Sequence, residues 1–103
     1  MENHEFLAKL KVIGDATRLA IIQMLSRTGT ICACKILEKF NITQGTLSHH
    51  MKILTESGLV TSEKVGKWCY YTLVYEKICE LAYFLEDICC PESIDDKKCK
   101  CCE

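Results

Sequence analysis

A mainly α-helical fold with one β-hairpin wing, a winged helix-turn-helix, is the fold class that this 103-residue sequence predicts. Three observations predict it. Between Thr30 and Leu54 two short helical patterns are separated by a polar turn of three or four residues, which matches helix-turn-helix geometry. The segments LVTSEK and KWCYYTL then flank Val65-Gly66-Lys67 and are rich in Val, Thr, Trp and Tyr, as expected of a hairpin. On either side of this unit, residues 4–27 and 75–90 carry apolar side chains at helical spacing.

The elements follow in order. Phe6, Leu7, Leu10 and Ile13 form a stripe for a short amphipathic helix over 4–13. Gly14 breaks it, and Asp15 is placed to cap the next helix, ATRLAIIQMLSR. There Leu19, Ile22 and Leu25 mark a buried face, while Ala20, Ile21 and Met24 make the helix apolar most of the way round, the mark of a central helix. Thr30 can cap a helix over 31–40 whose inward side is Ile36, Leu37 and Phe40. Thr43 caps the next, to about Ser57, where Gly58 ends it. The hairpin follows, with Lys64 and Lys67 at its tip. Ile78, Leu81, Leu85 and Ile88 give the last helix, and Pro91 stops it. Tyr83 and Phe84 widen that stripe, which predicts a homodimer through the first and last helices. The expected organisation is a DNA-binding and dimerisation domain over 1–90 and a flexible Cys-rich tail over 91–103.

Composition narrows the classes. No run of 18 or more apolar residues exists, so no membrane span is expected. The N-terminus lacks a signal-peptide pattern, and the chain is expected to be soluble and cytoplasmic. Net charge is −1, but residues 1–73 hold nine Lys/Arg against six Asp/Glu, and residues 74–103 hold four against eight. A basic body with an acidic end fits a DNA-binding module. The nine cysteines are expected to be mostly reduced thiols. Cys69 and Cys79 stand singly, whereas Cys32 and Cys34, Cys89 and Cys90, and Cys99, Cys101 and Cys102 are clustered, a pattern suited to soft metals or redox chemistry. No catalytic constellation is present, and a thiol-dependent reductase would prefer CxxC within a βαβ unit. The chain is therefore expected not to be an enzyme.

The second helix of the motif reads as the one that meets DNA. With Leu47 at the centre of its buried face, Met51 and Leu54 fall within about 40°. Gly45, Ser48, His49 and Lys52 lie about 100–200° away. Gln44 and Thr46, after the cap Thr43, sit at the N-terminal end, where such helices meet base edges. Gln pairs with adenine bidentately, Ser and Thr donate or accept, and Lys52 reaches guanine or phosphate. Lys64 and Lys67 of the wing are candidates for phosphate or minor-groove contact, and Arg18 for a further phosphate contact. His49 is expected to face DNA and His50 the edge of the core, since neighbours on a helix point about 100° apart and chelate poorly.

The motifs GDATRLAIIQML, ICAC, TQGTLSHHMKIL, ESGLV and GKWCYYTL, in this order, resemble those of the ArsR/SmtB family of metal- and metalloid-sensing repressors. The resemblance spans about residues 5–90. It implies a homodimer that binds double-stranded operator DNA when metal-free and releases it on binding an inducer. The CAC resembles the arsenical-sensing site, ELCVCDLC in the family, with Cys32 and Cys34 matching its first two cysteines and Leu37 standing at the third. The implied inducer is As(III) or Sb(III) or another thiophilic metal, with no organic cofactor. The terminal-helix Asp/His pairs of the zinc sensors and the N-terminal cysteine arm of the cadmium/lead sensors are missing.

Cys69, a tail cysteine or an exogenous thiol are candidates for the third ligand. Cys89, Cys90, Cys99, Cys101 and Cys102 are candidates for a second soft-metal site. On a regular helix Cys32 and Cys34 diverge by about 200°, so binding one ion through both requires unwinding of the first turn, and with it a shift of the recognition helix. The alternatives are a thiol redox sensor on the same fold, through strained i, i+2 or adjacent disulfides, and a Cd(II)/Pb(II) sensor.

Overall fold

The computed structural model describes residues 1–89, which form five helices and a three-stranded sheet. The elements run α1 (Asn3–Ile13), α2 (Ala16–Thr28), β1 (Ile31–Cys32), α3 (Ala33–Lys39), α4 (Gln44–Glu56), β2 (Val60–Val65), β3 (Trp68–Leu73) and α5 (Tyr75–Cys89). This is a winged helix-turn-helix, with α3 and α4 as the motif and β2–β3 as the wing. The segment 91–103, expected as a tail, and Cys90 lie outside the described residues.

The starts of α2 and α4 follow the sequence closely. Asp15 caps α2, its carboxylate accepting from the amides of Thr17 and Arg18, both at 3.1 Å. Thr43 caps α4, with Oγ1 accepting from the Thr46 amide at 3.1 Å. After α4, Gly58 takes φ 84, a left-handed conformation that a residue with a Cβ adopts at a cost. The wing turns on Gly66-Lys67, because Val65 pairs with Trp68. Gly66 has φ 62 and Lys67 a negative φ, the pattern of a type II′ hairpin, which wants glycine first.

One core joins all of the helices. Ile21, Ile22 and Leu25 of α2 meet Ile36 of α3, Leu47, Met51 and Leu54 of α4, and Leu59, Val60 and Leu73 around the wing. Phe6 of α1 stacks on Phe84 of α5, ring centroids 4.0 Å apart, and Leu81 completes the apolar contact.

Several expectations change in detail. Leu19 is 41% exposed, and Ile21 takes the buried place. Residues four and three before Leu25 share its face, whereas Leu19, six before, is turned about 120° from it. On α5 the docked side is Ile78, Leu81 and Phe84, leaving Leu85 and Ile88 exposed along with Leu7 and Leu10 of α1.

The largest difference is at the start of the motif. The helix begins at Ala33 rather than at residue 31, because Ile31 and Cys32 form a strand that pairs antiparallel with β3, Ile31 opposite Tyr71 and Cys32 opposite Tyr70. The sheet order is β1-β3-β2. Thr30 and Thr72 reinforce this junction through their hydroxyls, 2.8 Å apart. Among the described residues, no helix is long and apolar enough to cross a membrane.

Candidate functional site

Cys32 has extended backbone, φ −73 and ψ 144, and occupies the N-cap of α3, while Cys34 is the second residue of that helix. This break from helical geometry turns the two side chains together. Cys34 Sγ lies 3.0 Å from Cys32 Sγ and donates to it. Two sulfurs on a tetrahedral ion at a 2.3 Å bond length stand about 3.8 Å apart, so the pair needs only a small opening to share an ion. The unwinding that a regular helix demands is already present in the fold.

The same geometry sets the chemistry of the thiols. The Cys34 thiol holds Cys32 below the usual thiol range, helped by the amides of Cys34 and Lys35 and the Lys35 charge. Those amides face Cys32 Sγ without making a full capping hydrogen bond. The same sulfur–sulfur bond pushes Cys34 up. The proton therefore belongs to the pair, and the first thiolate forms at the helix start where it is the better ligand and nucleophile.

Beside the pair opens a cleft of ≈ 430 Å³ between α3, α4 and the wing. Cys32, Cys34 and Leu37 form one wall, Gln44, Leu47 and Ser48 of α4 the second, and Lys64, Lys67, Trp68, Cys69 and Tyr71 the third. Burial, foremost, and then Cys69 beside it push the Tyr71 pKa up to about 12. Trp68 and Tyr71 were not singled out in the sequence. For Tyr71 the signal available was the alternation of β3, which sends Cys69, Tyr71 and the buried Leu73 to one face; Trp68 falls on the other by the same period.

The residues expected to meet DNA share a surface. Thr43, Gln44, Gly45, Thr46, Ser48, His49 and Lys52 are all exposed: Gly45, Thr46, Ser48, His49 and Lys52 lie on the side of α4 turned away from the buried Leu47, Met51 and Leu54, and Thr43 and Gln44 stand at its N-terminal end. Gly45 has open space around it, the nearest atom to a built Cβ being Thr43 Oγ1 at 4.0 Å. Lys64 and Lys67 are exposed on the wing, and Lys67 Nζ sits 5.5 Å from the centroid of the exposed Trp68 ring. His50 turns inward, its side chain 13% exposed. Arg18 is used within the fold: its Nε donates to the Val12 carbonyl at 2.7 Å and a terminal nitrogen to His50 Nδ1 at 3.2 Å. Cys89, at the end of α5, is exposed, and Cys90, Cys99, Cys101 and Cys102 lie outside the described residues. Among the described residues, no three His, Cys, Asp or Glu side chains converge to hold a metal ion.

Comparison with known proteins agrees with this architecture. Residues 15–62 match the family model described as bacterial regulatory protein, arsR family. An arsenical resistance operon repressor of Bacillus subtilis is 40% identical over 82 residues, covering 80% of this chain and 76% of that protein. An uncharacterized HTH-type transcriptional regulator of Methanocaldococcus jannaschii is 36% identical over 89 residues, covering 85% of this chain and 100% of that one. Among solved structures, an ArsR-like transcriptional regulator from Rhodococcus sp. RHA1 superposes with a TM-score of 0.73 at 26% identity, covering 82% of this chain and 79% of that chain. Fold, motif order and relatives converge, and the chain belongs to the ArsR family of transcriptional regulators.

Proposed function

We propose that this regulator binds operator DNA as a homodimer, represses transcription, and releases the DNA when Cys32 and Cys34 bind As(III), Sb(III) or a similar thiophilic metal. The observation that carries the reading is the 3.0 Å approach of the two sulfurs at the start of α3, on a cleft walled by Gln44 and Ser48 of α4 and Lys64 and Lys67 of the wing. A thiophilic ion at the pair sits beside the surface that meets DNA. Binding there acts on both the motif and the wing, which supplies the coupling between sites that an allosteric switch requires. The name of the Bacillus subtilis relative points to the same effector class.

In this reading, Gln44, Thr46, Ser48, His49 and Lys52 meet base edges and backbone, with Thr43 and Gly45 at the close approach. Lys64 and Lys67 anchor the wing. The dimer forms through α1 and α5, where Leu7, Leu10, Tyr83, Leu85 and Ile88 stand exposed, an apolar surface of the kind that marks an interaction site. Residues 1–90 form the DNA-binding and dimerisation domain, with 91–103 as a thiol-bearing tail. Cys89, Cys90, Cys99, Cys101 and Cys102 contribute a secondary soft-metal site.

The test is release of operator DNA titrated with As(III), Cd(II), Zn(II) and peroxide, in the wild type and in Cys32→Ser/Cys34→Ser. The expected result is release by As(III) from the wild type and intact binding without release in the double variant. A double variant that still responds to As(III) places the effector site elsewhere. One observation favours a second reading: sulfurs 3.0 Å apart are also positioned for oxidation to a disulfide, and release by peroxide without metal would establish a redox sensor.

A further inference from the structure

The wing ends in an apolar pair. Val65 and Trp68 face each other across the last rung of the β2–β3 ladder before the turn, so their side chains share one face of the hairpin. They are 53% and 48% exposed. Single exposed apolar residues are ordinary on a protein surface, but this pair sits among cations. Lys67 Nζ lies 5.5 Å from the centre of the indole ring, a cation–π distance, and Lys64 precedes Val65 on the strand. Glu63, opposite Tyr70, returns to the same face one step further from the turn. The patch that suits a polyanion is therefore confined to the tip.

The tip also adjoins the surface that meets DNA. Lys64, Lys67 and Trp68 border the cleft whose facing wall includes Gln44 and Ser48 of α4. Trp68 thus opens onto the same space as two residues placed to read bases. A duplex lying along α4 meets the wing tip next.

We propose that Val65 and Trp68 form an apolar wedge that enters the minor groove of operator DNA beside the site read by α4. This deepens the DNA-binding function proposed above and rests on it. An apolar side chain pressed between base pairs from the minor groove partly unstacks them and bends the duplex. The cost of that deformation depends on the sequence and is lowest at pyrimidine–purine steps such as TA and CA. Trp68 therefore makes the protein prefer deformable sequence at positions where no hydrogen bond reads a base. Lys67, held at the ring, carries its ammonium to the groove together with the indole, where phosphates flank the inserted pair.

The test uses the full-length chain and the duplexes that it selects from a random-sequence pool. Trp68 is the one tryptophan of the sequence, so its emission reports on the wedge in the unaltered protein, whatever any variant does to folding. Bound duplex should quench that emission and shield it from acrylamide. Trp68→Ala should bind the selected duplexes roughly tenfold to a hundredfold more weakly, as for the loss of one stacked base. Its salt slope should match the wild type, because no charge is removed. Trp68→Phe should recover most of the affinity. Selection repeated with Trp68→Ala should lose the enrichment of TA and CA steps beside the α4 site. A Trp68 as open to acrylamide in the complex as in the free chain, or full affinity in Trp68→Ala, overturns the proposal. So does an emission that changes with protein concentration alone, which would make the pair a contact between copies of the chain. If the wild type selects no duplex, the DNA-binding reading itself fails.

Discussion

Arg18 and His50 lock α2 to α4: a terminal nitrogen of the guanidinium donates to His50 Nδ1 at 3.2 Å while Nε holds the Val12 carbonyl at 2.7 Å. Asp15 Oδ2 stands 3.9 Å from the same imidazole nitrogen. A planar fork makes both contacts at once, and an ammonium does not. Arg18→Lys is therefore expected to destabilise the fold by roughly 1.5–3 kcal/mol, as for a hydrogen bond to a charged group, read as a lower midpoint in urea. Its salt dependence of operator binding should match the wild type. A flattened salt slope in this variant would show instead that Arg18 binds phosphate.

Lys64 and Lys67 should behave differently. Each wing lysine that meets phosphate contributes about one unit to the slope of log K against log salt, so Lys64→Ala and Lys67→Ala are expected to lower affinity on every sequence and reduce that slope by about 0.9 each. Gln44→Ala should instead cost about 1–3 kcal/mol at one operator position and relax the preference there. Binding titrations over a salt series, with operators mutated one base pair at a time, separate the two behaviours.

The thiol pair makes an ordered prediction. Cys34 holds Cys32 down and is itself held up by the same bond, so iodoacetamide should label Cys32 first as the pH is raised, with Cys34 following at higher pH. Removing the donor in Cys34→Ala should move the onset of Cys32 labelling to higher pH. Mass mapping after brief alkylation at stepped pH gives the order, and equal labelling of the two thiols would contradict it.

Tyr71 supplies an alkaline limit. Burial, then Cys69 beside it, raises its pKa from 10.0 to about 12. A group whose folded pKa lies above its unfolded value favours the fold most below the unfolded pKa. That contribution should be intact below pH 10 and fall away as the pH rises through about 12. Tyr71→Phe should lack this component of the alkaline loss when unfolding midpoints are compared between pH 9 and 12.

Much of the framework was legible because it depends on local rules. The caps at Asp15 and Thr43 are short polar side chains beside orphan amides, and the buried side of α4 follows from helical angles alone. Leu19 was misjudged because α2 is apolar nearly all round, so several stripes fit its sequence equally well. Leu85 and Ile88 kept the helical period of α5 but face away from the core of one chain, and periodicity does not say which apolar residues a fold covers. Strand β1 was not legible. Two residues carry no period, and their pairing depends on Tyr70 and Tyr71, nearly forty positions later. The convergence of Cys32 and Cys34 depends on that strand, so the geometry of the candidate site was hidden with it.

The two-residue β1 strand has a consequence for how the molecule opens. By pairing with β3 it ties residues 31–32 to 70–71 and makes the motif and most of its wing a non-covalent ring. Such a clasp forms late, because closing a loop of that length precedes any reward from the contact. It is also short, and so among the first pairings to break. Amide exchange at Ile31 and Cys32 should run ahead of that in the cores of α2 and α4, making the clasp the breathing point of the ring. A ligand seated at Cys32 works on the joint where the ring is easiest to part, and strain there travels both ways around it.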